Sequence, residues 1–171
     1  MSESEFSRIV DLRHFPDRPQ ELAATPEECA ALARRFLLVT VNSLSARITL
    51  TRYESAVSAV GRIHADIVQS CAVSGEDLPA TIDEEISLRF VPEAPPGAPD
   101  EEIELAEDDL DEIPYQDNAI DLGEAVAQSM ALAIDPYAIG PQAKAARARA
   151  GIVDEAASGP FAALAALKKQ D

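Results

Sequence analysis

Three successive stretches of the chain alternate apolar and polar residues with period two, and nothing else in the sequence limits the fold as much. In 46–53, Ile48 and Leu50 alternate with Arg47, Thr49 and Thr51. In 57–69, Val57, Ala59, Ile63, Ala65 and Ile67 share one parity, and Arg62, His64 and Asp66 share the other. In 81–91, Ile82, Ile86, Leu88 and Phe90 oppose Asp83, Glu85, Ser87 and Arg89. Successive side chains on a strand project to opposite faces, so each stretch reads as a strand with one apolar face. The short connections at Glu54–Ser55 and Ser74–Pro79 suit hairpins between antiparallel neighbours. The expected class is α+β: an antiparallel sheet, open or barrel-like, whose apolar face is covered by two or three helices and which carries a mobile acidic loop.

Helix signals flank the strands. Thr25 is placed to cap a helix, Pro26 fits its first position, and Glu28 completes a Thr-x-x-Glu capping box. Cys29, Leu32, Ala33, Phe36 and Leu37 then recur at helical spacing. Asp121 is a candidate cap for a second helix, with Leu122, Val126, Met130 and Ala133 on one face and Asp135-Pro136 as its stop. Upstream, 5–12 reads as a modest strand and 13–19 as a loop broken by Pro16 and Pro19. One domain is expected over 1–137. A loose Ala- and Arg-rich tail follows over 138–171. Near its end Pro160, Phe161, Leu164 and Leu167, followed by Lys168 and Lys169, suit a short amphipathic helix.

Charge placement matters more than its total. Residues 76–124 hold 18 Asp and Glu against one basic residue, Arg89, a net of −17; the remaining 13 acidic and 13 basic residues cancel. Within that span, 92–118 has five prolines and dense carboxylates, too few apolar groups to offset the entropy of ordering, and is expected to be a mobile loop. An arm of this charge repels bare phosphates and attracts a basic protein surface within a Debye length of roughly 8 Å. Its densest part, Glu107, Asp108, Asp109, Asp111 and Glu112, is the expected partner-binding segment. Arg34, Arg35, Arg47, Arg52 and Arg62 are the candidates for contact with RNA, against the plainer reading of solvated surface.

Catalysis finds little to work with. The chain has two histidines, His14 in a Pro-rich loop and His64 on the polar parity of its strand, and no Gly-rich phosphate loop or nucleophile elbow. The carboxylate cluster offers oxygen ligands but lacks the spaced Asp/Asn pattern of a calcium loop. Cys29, Cys71, His14 and His64 form no paired ligand motif. Cys71 shares parity with Ile63, Ala65 and Ile67, and is expected to pack inward as a small hydrophobe. No catalytic residue, metal or cofactor is expected. Residues 1–10 lack a signal-peptide pattern, and no apolar run approaches the roughly 18 residues needed to cross a bilayer, so a soluble cytoplasmic protein with no membrane contact is expected.

The order of these pieces resembles a known family. "EFSRIVDL", "ALARRFLLVTVNSLSARITL", the strand–Cys–turn–acid–strand unit at 63–91, and, after the acidic gap, "AIDLGEAVAQSMALAIDPY" at 119–137 are together similar to the YceD family of large-ribosomal-RNA-subunit accumulation proteins. The resemblance implies a non-enzymatic role in ribosome biogenesis. Its partners would be a basic ribosomal protein or a pre-large-subunit particle, with ribosomal RNA as a further contact. The alternative is an acidic chaperone for one basic client, without RNA. Many members carry a Cys-x-x-Cys pair at the end of this strand; here the positions are Cys71 and Ser74, so a metal site built on such pairs is not expected.

Overall fold

The computed structural model describes residues 4–93 and 111–152. In chain order the elements are β1 (Ile9–Asp11), a single 3-10 turn (Leu12–His14), β2 (Gln20–Ala23), α1 (Pro26–Arg35), β3 (Thr40–Tyr53), β4 (Ala56–Ser70), β5 (Asp77–Pro92), β6 (Asp111–Tyr115), β7 (Ala119–Asp121), α2 (Leu122–Leu132) and α3 (Ala143–Arg149). The fold is α+β. Five strands form one sheet in the order β2-β3-β4-β5-β6, which does not close into a barrel, and β1 pairs antiparallel with β7 in a second, two-stranded sheet.

The alternating strands fold as their parity requires. In β4, Val57, Ala59, Ile63, Ala65 and Ile67 are buried, and in β5, Ile82, Ile86, Leu88 and Phe90 are buried. β3 starts six residues earlier than the alternation at 46–53 indicates. The cause is a register shift between Val41 and Ser43: with one extra residue in the strand, Val41 and Leu44 both face inward despite opposite parity. The Thr25 capping box forms as its spacing implies, with Thr25 Oγ1 accepting from Glu28 N and the Glu28 carboxylate accepting from Thr25 N. Cys29, Leu32 and Ala33 of α1 join the core over β3, and Leu122, Ala125, Val126, Ala127 and Met130 of α2 complete it.

Three elements depart from the sequence reading. β2 is only four residues long with a single buried residue, Leu22, too short to display a period. The expected loop 92–118 ends sooner than composition indicates, because 111–115 form β6, parallel to β5 from Leu88↔Asp111 to Pro92↔Tyr115. Pro114 is tolerated because β6 is an edge strand, where a missing N–H breaks no ladder bond. Ile113 and Tyr115 pack on the core, which holds the strand despite its charge. The rest of that loop, 94–110, lies outside the described residues, as does the C-terminal segment 153–171 with its expected short helix. Finally, the tail expected to be loose from 138 contains α3, whose Ala, Lys and Arg residues are among the strongest helix formers.

The chain divides into two compact units. The larger, Met1–Gln69 with Pro79–Ile134, holds the sheets, α1, α2 and the apolar core. The smaller comprises Ser70–Leu78 and Asp135–Asp171. No helix among the described residues is long and apolar enough to cross a membrane.

Candidate functional site

The five candidate arginines do not gather into one basic surface. Arg35, at the end of α1, donates to both carboxylate oxygens of Glu124 at 2.6 and 2.8 Å and to Glu5 at 2.9 Å, with its guanidinium 5.1 Å from the Phe36 ring. Arg52 donates to the Leu12 carbonyl at 2.6 Å and lies over Phe15. Arg62 is ion-paired with Asp83 and reaches Glu85 at 3.7 Å. Arg47 faces Glu21 at 4.0 Å. Arg34 is exposed, with no ion pair among the described residues. Arg47 and Arg62 are cross-strand neighbours and line a shallow groove with Glu21, Ser45 and His64. Two cations directly opposite on a sheet repel, and here Glu21, Asp83 and Glu85 flank and offset them.

An electrostatic knot that the sequence reading did not single out forms around Glu124. Glu124 accepts from Arg35, from Ser4 Oγ at 2.6 Å and from Gln128 Nε2 at 2.8 Å. The Arg35 guanidinium is the main reason the Glu124 carboxyl is held down at about 2, and Glu124 in turn raises Arg35. A matching pair ties the N-terminal segment to the start of α1, where Arg8 grips Glu28 at 2.7 and 2.9 Å and holds its carboxyl below the usual range. The one trace of Glu124 in the sequence is its place three residues after the Asp121 cap; Arg35 and Ser4 are 89 and 120 residues away. Both clusters are architectural: they fasten chain segments and leave no charge unpaired.

Of the acidic segment, Glu107, Asp108 and Asp109 lie outside the described residues, Asp111 opens β6, and Glu112 sits 3.6 Å from Arg89 of the adjacent strand. Among the described residues no group of three or more His, Cys, Asp or Glu is placed to hold a metal. His14 Nδ1 lies 3.4 Å from Asp11, and His64 Nε2 lies 3.8 Å from Asp66, both at the surface.

Cys71 is buried, as its parity implies, but it is not the simple apolar residue expected there. It stands outside the hydrophobic cluster, and its sulfur accepts backbone N–H groups from Val73 at 3.4 Å, Ser74 at 3.3 Å and Gly140 at 3.3 Å. These donors, Gly140 first, bring the thiol down to about 6. By contrast, burial raises the Cys29 thiol in the core. The parity argument located the side chain but could not foresee the turn: Cys71 N bonds Glu76 O, Gly75 N bonds Cys71 O, and Gly75 adopts φ +73°, which folds the chain around the sulfur. Cys71 thus organises the smaller unit by accepting from both of its segments. Cys71→Ala should leave three amides without an acceptor, and hydrogen exchange at Val73, Ser74 and Gly140 should quicken by roughly tenfold or more. Unchanged protection at those three amides would show that the sulfur contributes nothing.

A family model described as "Large ribosomal RNA subunit accumulation protein YceD" matches residues 59–168. No curated protein and no solved structure matches the chain.

Proposed function

The chain belongs to the YceD family of large ribosomal RNA subunit accumulation proteins, and from that membership we propose that it supports large-subunit ribosomal RNA without catalysing a reaction, by binding a basic ribosomal protein on its acidic side. The observation that carries this reading is the division of charge. The span 76–124 has a net charge of −17, whereas four of the five candidate arginines elsewhere already face carboxylates or a backbone carbonyl. Cations engaged in this way have little left to offer phosphates, whose binding depends on displacing counterions with free Lys and Arg. A basic ribosomal protein, which must be kept from indiscriminate contact with RNA before assembly, fits an acidic surface better than RNA itself. Electrostatic attraction of this kind acts mainly on the rate of encounter and on choice of partner.

The test is capture of partners from lysate on the immobilised chain, with and without RNase. A basic ribosomal protein retained equally in both arms is the expected result. Loss of every ribosomal protein after RNase would mean that the chain binds through RNA and would refute a direct protein contact.

A further inference from the structure

Residues 4–15 form an arm whose hydrogen bonds and ion pairs to the rest of the chain reach from Ala23 onward. Phe6 and Leu12 of the arm are buried in the core. Ser7 Oγ and Arg8 N donate to the two oxygens of Asp121 at 2.6 and 2.8 Å, and Arg8 grips Glu28. Ser4 donates to Glu124, and Glu5 pairs with Arg35. β1 pairs with β7 from Ile9↔Asp121 to Asp11↔Ala119. Gly123 leaves room for the arm to cross: a Cβ there would meet the Phe6 carbonyl oxygen.

The link from the arm to β2 is of a different kind. Pro16-Asp17-Arg18-Pro19 makes no backbone–backbone hydrogen bond among the described residues, and 17–19 are exposed. Its prolines have no N–H to lose. A residue before proline favours extended backbone, and Phe15, at φ −59° and ψ 127°, already has it. Arg18, before Pro19, carries the same bias. Drawn out, four residues reach about 13 Å. The link therefore opens without breaking a backbone hydrogen bond, and every contact of the arm is regained on the identical seat of a second copy.

We propose that the arm, Ser4–Phe15, is exchanged between two copies of this chain, with Pro16–Pro19 as the hinge. The interaction surface is the seat built by Gly123, Asp121, Glu124, Glu28 and Arg35, and its partner is the arm of the other copy. Exchange keeps the apolar burial and the ion pairs of the closed form. The balance is then set by the hinge, by concentration and by repulsion between two chains of net charge −17. Stiff, extended prolines favour the open hinge. Salt leaves the arm's own ion pairs equal in both forms and screens the repulsion between copies, so the exchanged dimer grows with salt. Attraction of a basic partner has the opposite salt dependence.

The test is sedimentation of the full chain at about 1 mM, the order of the effective concentration of a short tether, after refolding from urea at low and at high salt. A dimer that increases with salt is expected. The double variant Pro16→Gly, Pro19→Gly, whose hinge is flexible, should raise the dissociation constant of the dimer by at least about tenfold. To identify the contact, Asp11→Cys chains and Ala119→Cys chains are refolded together and oxidised. These positions lie opposite each other on β1 and β7, so an arm that has crossed brings the two thiols together. Each variant refolded alone controls for random oxidation, and both substitutions in one dilute chain show that the pair closes. A monomer under all conditions overturns the proposal. So does a dimer insensitive to the hinge glycines, or a mixture that gives no more disulfide than either variant alone.

Discussion

Gly61→Val is expected to unfold the protein or to cost at least about 3 kcal/mol, a large share of the roughly 5–15 kcal/mol by which domains are stable. Gly61 lies in β4 opposite Ile48 of β3. A Cβ at this position would meet the Arg47 carbonyl oxygen and come within 2.8 Å of the Ile48 Cα. Both are backbone atoms within the β3–β4 pairing, so no rotamer change relieves the contact. β3 and β4 would have to separate where Ile48 and Ile63 are fully buried. Gly75→Ala is the control. Nothing lies within 4 Å of its Cβ, and only its φ of +73° opposes the change, so the cost should be about 1 kcal/mol. Urea unfolding of both variants measures this directly; a Gly61→Val midpoint equal to that of the parent would mean that the strands are not in such close contact.

Gly61 also marks the limit of what the sequence discloses. Parity correctly placed the core residues of β4 and β5, because alternation is a local consequence of strand geometry. It could not reveal that a glycine among them is required by the approach of a strand that begins twenty-one residues earlier. The Thr25 and Asp121 caps were legible for the same local reason: each is satisfied within three residues. Glu124 and Arg35 were not legible as a pair, since their meeting depends on how α1 and the N-terminal segment converge on α2. β6 was hidden by its own composition. Its Asp, Glu and Pro read as loop, and it is held by Ile113 and Tyr115 and by the edge of a strand already in place. Cys71 lies between these cases, its burial legible and its Gly140 donor not, because Gly140 comes from a segment 69 residues away. The arginines were singled out by charge alone, and the structure supplies what charge alone omits: carboxylates beside Arg35, Arg47 and Arg62 and a backbone carbonyl beside Arg52.

Reversing charge in the acidic segment should produce the largest functional effect. Glu107→Lys, Asp108→Lys and Asp109→Lys each change the charge by two, taking the span 76–124 from −17 to −11. Glu112 and Asp111 are best left alone, since Glu112 faces Arg89 and Asp111 opens β6. Urea midpoints of the triple variant and the parent, measured side by side, separate a loss of binding from a loss of stability. The variant's association with a basic partner should slow by about tenfold or more at low salt, with the difference shrinking as salt is raised. The most direct measurement is therefore the level of large-subunit ribosomal RNA, relative to small-subunit RNA, in cells whose only copy of the protein is this variant, expressed at the parent's level. A clear fall in large-subunit RNA alone is the predicted result. A ratio equal to that of the parent, with the variant folded and abundant, would contradict the claim that the acidic surface is what the protein works with.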